Sequence, residues 1–478
     1  MNFSMIVYIL GWILNFEALF MVIPLAAAII FGDNTILPIL LTMGICAAIG
    51  LPITRKKPKE SSLHSRDGYV IVSLSWIILS AFGALPFVFS GAIPNYIDAL
   101  FETVSGFTTT GASILSDVEA VPKSLLIWRS FTHWIGGMGV LVFIMAFLPL
   151  SGGQNMHIMK AESPGPSVSK LVPRIKTTAL LLYAIYFVLT LIEFILLLFG
   201  GMPVFDALNT TFATAGTGGF SVKNNGLASY SETVRAIVTI FMILFSLNFN
   251  IYFLIFSKKF KDAFKMSEIW YYLAIIAAAT SIITVNIKGM FPSTREAFGN
   301  AIFTVSSIIS STGFTAVDFN LWPEISRTIL VLLMFIGACA GSTGGGIKVY
   351  RIVILFKSMG KELQTLIHPK QVKKIRIDSH EIEHEVIRSV NVFMVCFILV
   401  FVISLLCISF EDYDMVTNFT AVATTINNIG PGLELVGPTS NFAFFSPFSK
   451  LVLIFDMLAG RLELFPMLLL FSPVTWKK

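Results

Sequence analysis

The chain has 478 residues, 55% of them hydrophobic and only 13% charged, with a mean hydropathy of +0.81 and a formal net charge of +5. Soluble globular domains run near 45–50% apolar and about 25% charged, so composition excludes a soluble protein of several domains and points to a polytopic membrane protein. The four cysteines, Cys46, Cys339, Cys396 and Cys407, fall in or beside apolar runs without metal-site or disulfide-framework spacing.

A bilayer core of about 30 Å needs roughly 20 apolar residues. In chain order such runs occupy about 5–31, 36–53, 69–90, 125–150, 177–200, 233–256, 269–288, 325–347, 388–410 and 447–471. The first has no basic segment before it and no small-residue cleavage site, and reads as a retained helix. Ten spans put both termini on one side. With that side cytoplasmic, most of the 33 lysines and arginines fall in the segments 54–68, 151–176, 257–268, 348–388 and the tail. The opposite loops carry only Lys123, Lys223 and Arg295. Positive charge kept inside sets this orientation. About half of the 28 acids lie outside, among them Asp98, Glu102, Asp117, Glu119, Asp206, Glu232, Asp318, Glu324, Glu411, Asp412, Asp414 and Glu434, where they would concentrate cations at a pore mouth.

The outer loops 91–124, 201–232, 289–324 and 411–446 each hold a partly apolar segment too short to span, which predicts a re-entrant helix. Each segment runs into small or polar residues and a glycine. The four ends are Thr108-Thr109-Thr110-Gly111, Gly216-Thr217-Gly218-Gly219, Ser310-Ser311-Thr312-Gly313 and Asn427-Asn428-Ile429-Gly430. Asp206-Ala207-Leu208 before Gly219 matches Asp98-Ala99-Leu100 before Gly111, and Gly219-Phe220 matches Gly313-Phe314, which fixes the register of the second.

The unit is therefore spanning helix, re-entrant helix, glycine loop, spanning helix. It occurs four times in one orientation, which predicts a pseudo-four-fold pore. Re-entrant helices entering from outside aim the negative ends of their dipoles at the membrane centre. Loop carbonyls, aimed by glycine, can replace an ion's water shell. Carbonyl and hydroxyl oxygens without carboxylates suit a weakly hydrated monovalent cation; a divalent ion would want acids in contact.

Two further features lie below these loops. Glycines crowd 337–348 in the third inner helix, and at about 1 kcal/mol each they predict that the helix opens into an intramembrane loop. Tight helix packing is the simpler alternative. A phosphate-binding loop is excluded, because Ile347 follows Gly346, no Ser or Thr follows Lys348 and no strand leads in. Arg461 sits midway along the last span with Asp456 and Glu463 nearby, either as a structural ion pair or facing an aqueous cavity. Glu17 reads as a helix-interface residue or an interfacial polar contact rather than an ion ligand, and His133-Trp134 with Gly136, Gly137 and Gly139 as close packing.

The four pore loops with single glycines resemble the Trk/Ktr/HKT superfamily of potassium transport proteins. The N-terminal helix pair, the length and Gly341-Ser342-Thr343-Gly344-Gly345-Gly346-Ile347-Lys348 are most similar to its TrkH branch, over essentially residues 1–478. Simpler relatives lack the N-terminal pair. The resemblance implies an all-α polytopic fold of ten transmembrane helices. The expected divisions are an N-terminal extension 1–53, pore repeats 69–150, 177–256, 269–357 and 388–471, and a cytoplasmic loop 358–387. It places Gly111, Gly219, Gly313 and Gly430 at the filter's central position. It makes Gly341–Gly346 a gate, with Arg461 a cationic barrier near the pore. The fourth loop departs from the threonine-rich pattern at Asn428 and Ile429, so an asymmetric site is expected.

The implied function is potassium uptake across the bacterial cytoplasmic membrane, with potassium as substrate and no organic cofactor in the chain. A homodimer is implied, as is a TrkA-like nucleotide-binding regulator, for which the basic 348–388 segment would serve as dock or, equally, as a lipid-headgroup contact. No nucleic-acid partner is expected. The alternative is a symporter coupled to protons or sodium, which would want a chain of buried ionisable residues. Only Glu17, Glu193, Asp456, Arg461 and Glu463 lie deep in spans. An enzyme would need clustered His, Cys or nucleophile–base pairs, which the spans do not supply.

Overall fold

A computed structural model describes residues 1–59, 63–139, 175–369, 374–378 and 380–476. The second half of the expected 125–150 span, the basic segment 151–174 and Lys370 and Lys373 lie outside the described residues. Nearly all described secondary structure is helical. The exception is a hairpin of two-residue strands, Arg376–Ile377 with His380–Glu381, on the segment expected to be a cytoplasmic loop.

Among the described residues, six helical stretches are long and apolar enough to cross a bilayer: Phe3–Phe31, Ile36–Thr54, Ser65–Phe89, Ala179–Phe199, Ser267–Met290 and His384–Glu411. Two of them form the N-terminal pair, and each of the others leads into a short helix. These four short helices are Tyr96–Phe107, Val204–Ala215, Thr294–Ile309 and Met415–Ile426. Their starts are written locally. Asn95, Ser293 and Asp414 accept from backbone N–H groups of the first turn, and Pro203 precedes the second helix.

Three of the inner helices differ from the sequence expectation of continuous spans, and the third breaks where its glycines predict it. Lys123–Gly137, Glu232–Phe245, Glu324–Ile336 and Pro447–Arg461 all stop about halfway. The second resumes as Asn250–Phe256 after a 93° bend, and the fourth as Phe465–Phe471. The cause is close approach to the ends of the short helices. A Cβ on Gly136 would lie 1.8 Å from the Phe107 carbonyl, and one on Gly460 would lie 2.0 Å from that of Ile426. The first and fourth inner helices thus reach the ends of the short helices through glycine.

The largest buried cluster runs from Met5 and Ile9 through Trp76, Phe101 and Trp128 to Leu453 and Met457, joining the N-terminal pair to the first and fourth repeats. The second and third repeats have cores of their own, around Met242 and Phe303 and around Tyr272 and Met334.

Candidate functional site: four glycine segments in a ring

The four short helices end in one backbone pattern. The second residue after each helix, Thr109, Thr217, Ser311 or Asn428, has φ of 54–57°, and the fourth, Gly111, Gly219, Gly313 or Gly430, has φ of 76–99°. The third residue's N–H reaches back five residues in every case: Thr110 to Ser105, Gly218 to Ala213, Thr312 to Ser307 and Ile429 to Thr424, at 2.8–2.9 Å. The second residue's N–H reaches back three, as in Thr109 to Gly106 and Ser311 to Ile308. This is the Schellman ending of a helix, with a left-handed residue most often supplied by glycine. Here Thr, Ser and Asn take that place, and glycine is kept for the fourth position.

That position explains why no side chain is used. A Cβ on Gly111 would lie 2.1 Å from the Gly218 carbonyl oxygen, on Gly219 1.9 Å from that of Thr312, on Gly313 1.8 Å from that of Ile429, and on Gly430 2.8 Å from that of Thr110. Each glycine abuts the third residue of the next segment, and the fourth returns to the first. The four segments therefore close a ring in chain order. One cavity of about 110 Å³ is lined by all four glycines together with Arg129, Pro431 and Phe442.

The hydroxyls are not four-fold. Thr108 and Thr110 share a hydrogen bond of 2.8 Å, as Ser310 and Thr312 do at 2.7 Å. Gly216 and Gly218 offer no counterpart. Asn427 donates instead to the Ala423 carbonyl at 2.8 Å, and Asn428 ties the fourth segment to Thr110 Oγ1 and the Met457 carbonyl at 3.0 and 2.9 Å. The asymmetry expected at Asn428 is thus a cross-link between the fourth segment, the first segment and the fourth inner helix.

Residues read from sequence as packing, or as rim charge, brace the ring. His133 Nδ1 lies 2.7 Å from the Gly106 carbonyl, which can only accept, so Nε2 is left to accept from the Phe220 N–H at 3.3 Å. One neutral imidazole thereby joins the first segment's helix to the second segment. Glu102, expected at the vestibule, is buried: it pairs with Arg129 at 2.5 Å and accepts from Ser113 and Ile114. Arg129 also donates to the Ser221 carbonyl and lies 3.4 Å over the Phe220 ring. Asp98 pairs with Lys450, Glu119 with Lys223 and Glu434 with Arg327. Much of the acidic rim is therefore bound within the protein, because these loops must pin one another across repeats. Asp117 stays ionised in its loop. The Asn224 amide that donates to it at 2.8 Å holds its carboxyl below the ordinary carboxylate range.

On the other side of the ring lies residues 337–348. Gly337 leaves the helix at φ 73°, and helix resumes at Val349. The loop reaches the ring directly. The Gly345 N–H donates to Ser311 Oγ at 2.5 Å, and a Cβ on Gly344 would lie 2.7 Å from the Ser310 carbonyl. Thr343 and Ser342 bond to the Phe245 and Cys339 carbonyls, and Gly341 accepts from the Phe249 N–H at 3.0 Å. Two anchors lie outside the sequence expectation: Glu268 accepts from the Ala340 N–H at 2.6 Å, and Lys348 donates to the Gly344 carbonyl.

The acids near Arg461 in sequence bond to other side chains. Glu463 is held by Arg351, and Asp456 accepts from Ser404 at 2.6 Å. Arg461 donates to the carbonyls of Thr343, Gly136 and Gly137 at 2.5–2.7 Å and to Thr109 Oγ1 at 3.3 Å. It thus touches the loop, the first inner helix and the first ring segment at once. A cavity of about 100 Å³ beside it is lined by Trp76, Gly344, Gly345, Lys348 and Glu463.

Comparison with known proteins agrees with this architecture. The family model for TrkH, described as a cation transport protein, matches residues 37–288 and 266–478. The chain is 36% identical to the Trk system potassium uptake protein TrkH of Salmonella typhimurium, over all of both chains. It is 31% identical to TrkG of Escherichia coli, over 99% of this chain and 98% of that one. The crystal structure of the potassium transporter TrkH from Vibrio parahaemolyticus matches over the full length of both chains with a TM-score of 0.90 at 32% identity. The chain is a multi-pass membrane protein and belongs to the TrkH family of cation transport proteins.

Proposed function

We propose that this chain carries potassium ions across the bacterial cytoplasmic membrane, into the cell, through a pore on the axis of the four glycine segments. The observation that carries the reading is that all four glycines line one cavity while each abuts a carbonyl of the next segment. A ring of backbone and hydroxyl oxygens, with no carboxylate among its sixteen positions from Thr108 to Gly430, has the ligand chemistry of a weakly hydrated monovalent cation. Four helix C-termini directed at the same ring favour positive charge there. TrkH of Salmonella typhimurium and TrkG, which the chain resembles over its whole length, are named as potassium uptake proteins.

The topology that goes with this function has ten membrane crossings and both termini cytoplasmic, with the broken inner helices counted as crossings. The N-terminal pair 1–53 stands outside four pore repeats, 69–150, 177–256, 269–357 and 388–471. Loop 337–348 closes the pore beneath the ring, with Gly341–Gly346 and Arg461 as the gate, and it is released by a TrkA-like nucleotide-binding subunit docking on the basic cytoplasmic face that includes 358–387. The working unit is a homodimer with one pore per chain.

Purified protein in lipid vesicles tests this reading. Potassium should move down its own gradient in preference to sodium, and the reversal potential should ignore a pH gradient. Flux that follows an imposed proton or sodium gradient would replace conduction by symport.

A further inference from the structure

A third cavity, of about 500 Å³, lies away from the ring, between the first turns of the Glu232–Phe245 and Thr294–Ile309 helices. Its two ends differ. Glu232, Arg235, Arg295 and Glu296 gather where the helices begin, while Ile240, Phe298, Ile302 and Phe303 line it one to two turns further on. From Glu232 to Ile240 is about 12 Å along the axis, so the charged and apolar ends lie at different depths. Ile240 and Phe298 are about half exposed, so the apolar end opens on the surface of the protein.

The polar end is incomplete. The Arg235 Nε is buried without an acceptor among the described residues, and its Nη1 makes only a long contact, 3.3 Å, to Asn300 Oδ1. A buried guanidinium N–H without an acceptor is costly, and a phosphate oxygen is the acceptor its geometry suits. Arg295 and Glu232 pair with each other at 3.6 Å on the exposed rim. The Glu296 carboxylate has no ion-pair partner among the described residues, although its backbone N–H is capped by Ser293. Two arginines and two glutamates make the lining neutral overall, and the cation and anion left over, Arg235 and Glu296, lie on facing helices.

We propose that this cavity is a binding site for one phospholipid whose headgroup carries both a phosphate and a primary ammonium, namely phosphatidylethanolamine. The phosphate lies against Arg235, the ammonium against Glu296, and one acyl chain runs down the groove past Gly299 and Ile302. A second copy of this chain is a poorer occupant, because it would have to present an anion and a cation side by side on one protruding group. The Thr294–Ile309 helix ends in the Ser310–Gly313 ring segment, so the bound lipid rests on one of the four elements that build the ring. The site requires only that the chain lies in a membrane, and is independent of what the ring conducts.

Gly299 gives the cleanest variant, since a Cβ there meets nothing within 4 Å and the fold has no reason to change. The full chain in detergent would be titrated with phosphatidylethanolamine or phosphatidylglycerol and read by native mass spectrometry, with thermal unfolding as the folding control. The wild type should take up one phosphatidylethanolamine per chain in preference to phosphatidylglycerol. Arg235→Gln should weaken that uptake about tenfold, the scale of one lost charge-assisted contact, and Gly299→Leu, whose side chain occupies the groove, should weaken it at least as much. Glu296→Gln should abolish the preference between the two lipids. Equal uptake by wild type and Gly299→Leu overturns the proposal, and so does a Gly299→Leu variant that loses its dimer while keeping its lipid, which would assign the groove to a second copy.

Discussion

Arg461 shows how one residue can be legible in kind and illegible in role. An arginine midway along an apolar run has to face protein or water, and its sequence neighbours Asp456 and Glu463 are the obvious partners. The structure gives those acids to Ser404 and Arg351 and turns the guanidinium onto backbone carbonyls of the first and third repeats. The reason is geometric: carbonyls freed where helices stop need donors inside the membrane. No sequence spacing encodes a contact between residues 461, 343 and 136. Replacing Arg461 by Ala should leave those carbonyls short of a donor, lower stability by roughly 2–4 kcal/mol and raise flux through a loop held by one anchor fewer. Thermal unfolding and vesicle flux on the same preparation check both effects. His133 was hidden for a similar reason, since its two hydrogen bonds go to Gly106 and Phe220, backbone groups of two different repeats. For Glu102 and Arg129 a faint signal existed in an acid within a short apolar helix followed by an arginine in the next helix.

At the scale of elements, the short helices and their glycine ends were readable because they are local: a cap, about a dozen residues, a left-handed turn. The inner helices were not. Hydropathy counts apolar residues and does not see a helix end, so runs such as 233–256 read as unbroken. The third break alone was expected, because five glycines in ten residues announce it. The second and third breaks in fact satisfy one another. The Cys339 and Thr343 N–H groups donate to the Ser246 and Phe245 carbonyls, and Phe249 donates to Gly341. Loop 337–348 is thus held by the bend of the neighbouring repeat, by Glu268 through Ala340 and by Lys348 through Gly344. Deleting Gly344–Gly346 should remove the contacts to Ser310 and Ser311 and the Lys348 bond to Gly344, and raise potassium flux about tenfold or more, the scale of losing one charge-assisted bond. Glu268→Ala should act in the same direction by a smaller factor. Vesicle flux without any regulatory partner reads both, and unchanged flux in both variants would leave the loop a packing element.

For the molecule as a whole, sequence repetition carried the main content. Four glycine ends in equivalent places implied four-fold packing before any contact was known. The order of packing was not in the sequence. That each glycine abuts the next segment in chain order, and that Gly430 closes on Thr110, is a property of the assembled helices. The departures from symmetry also take their meaning only in three dimensions, where Asn428 becomes a tie between the first and fourth repeats. The acidic rim was the opposite case: its residues were legible and their duties were not, because long-range pairs such as Asp98 with Lys450 leave no trace in composition.

The central claim is that the ring of glycine segments selects the ion, and Gly111→Ser tests it most directly. At φ 81° and with the Gly218 carbonyl 2.1 Å from the new Cβ, a side chain there must displace the ring locally. The measurement is the potassium-to-sodium permeability ratio from reversal potentials in vesicles, on protein whose unfolding transition remains cooperative. The account predicts a fall of about tenfold or more, equivalent to roughly 1.4 kcal/mol of lost discrimination. A ratio unchanged from the wild type, in folded and conducting protein, would contradict it and place selection elsewhere along the pore.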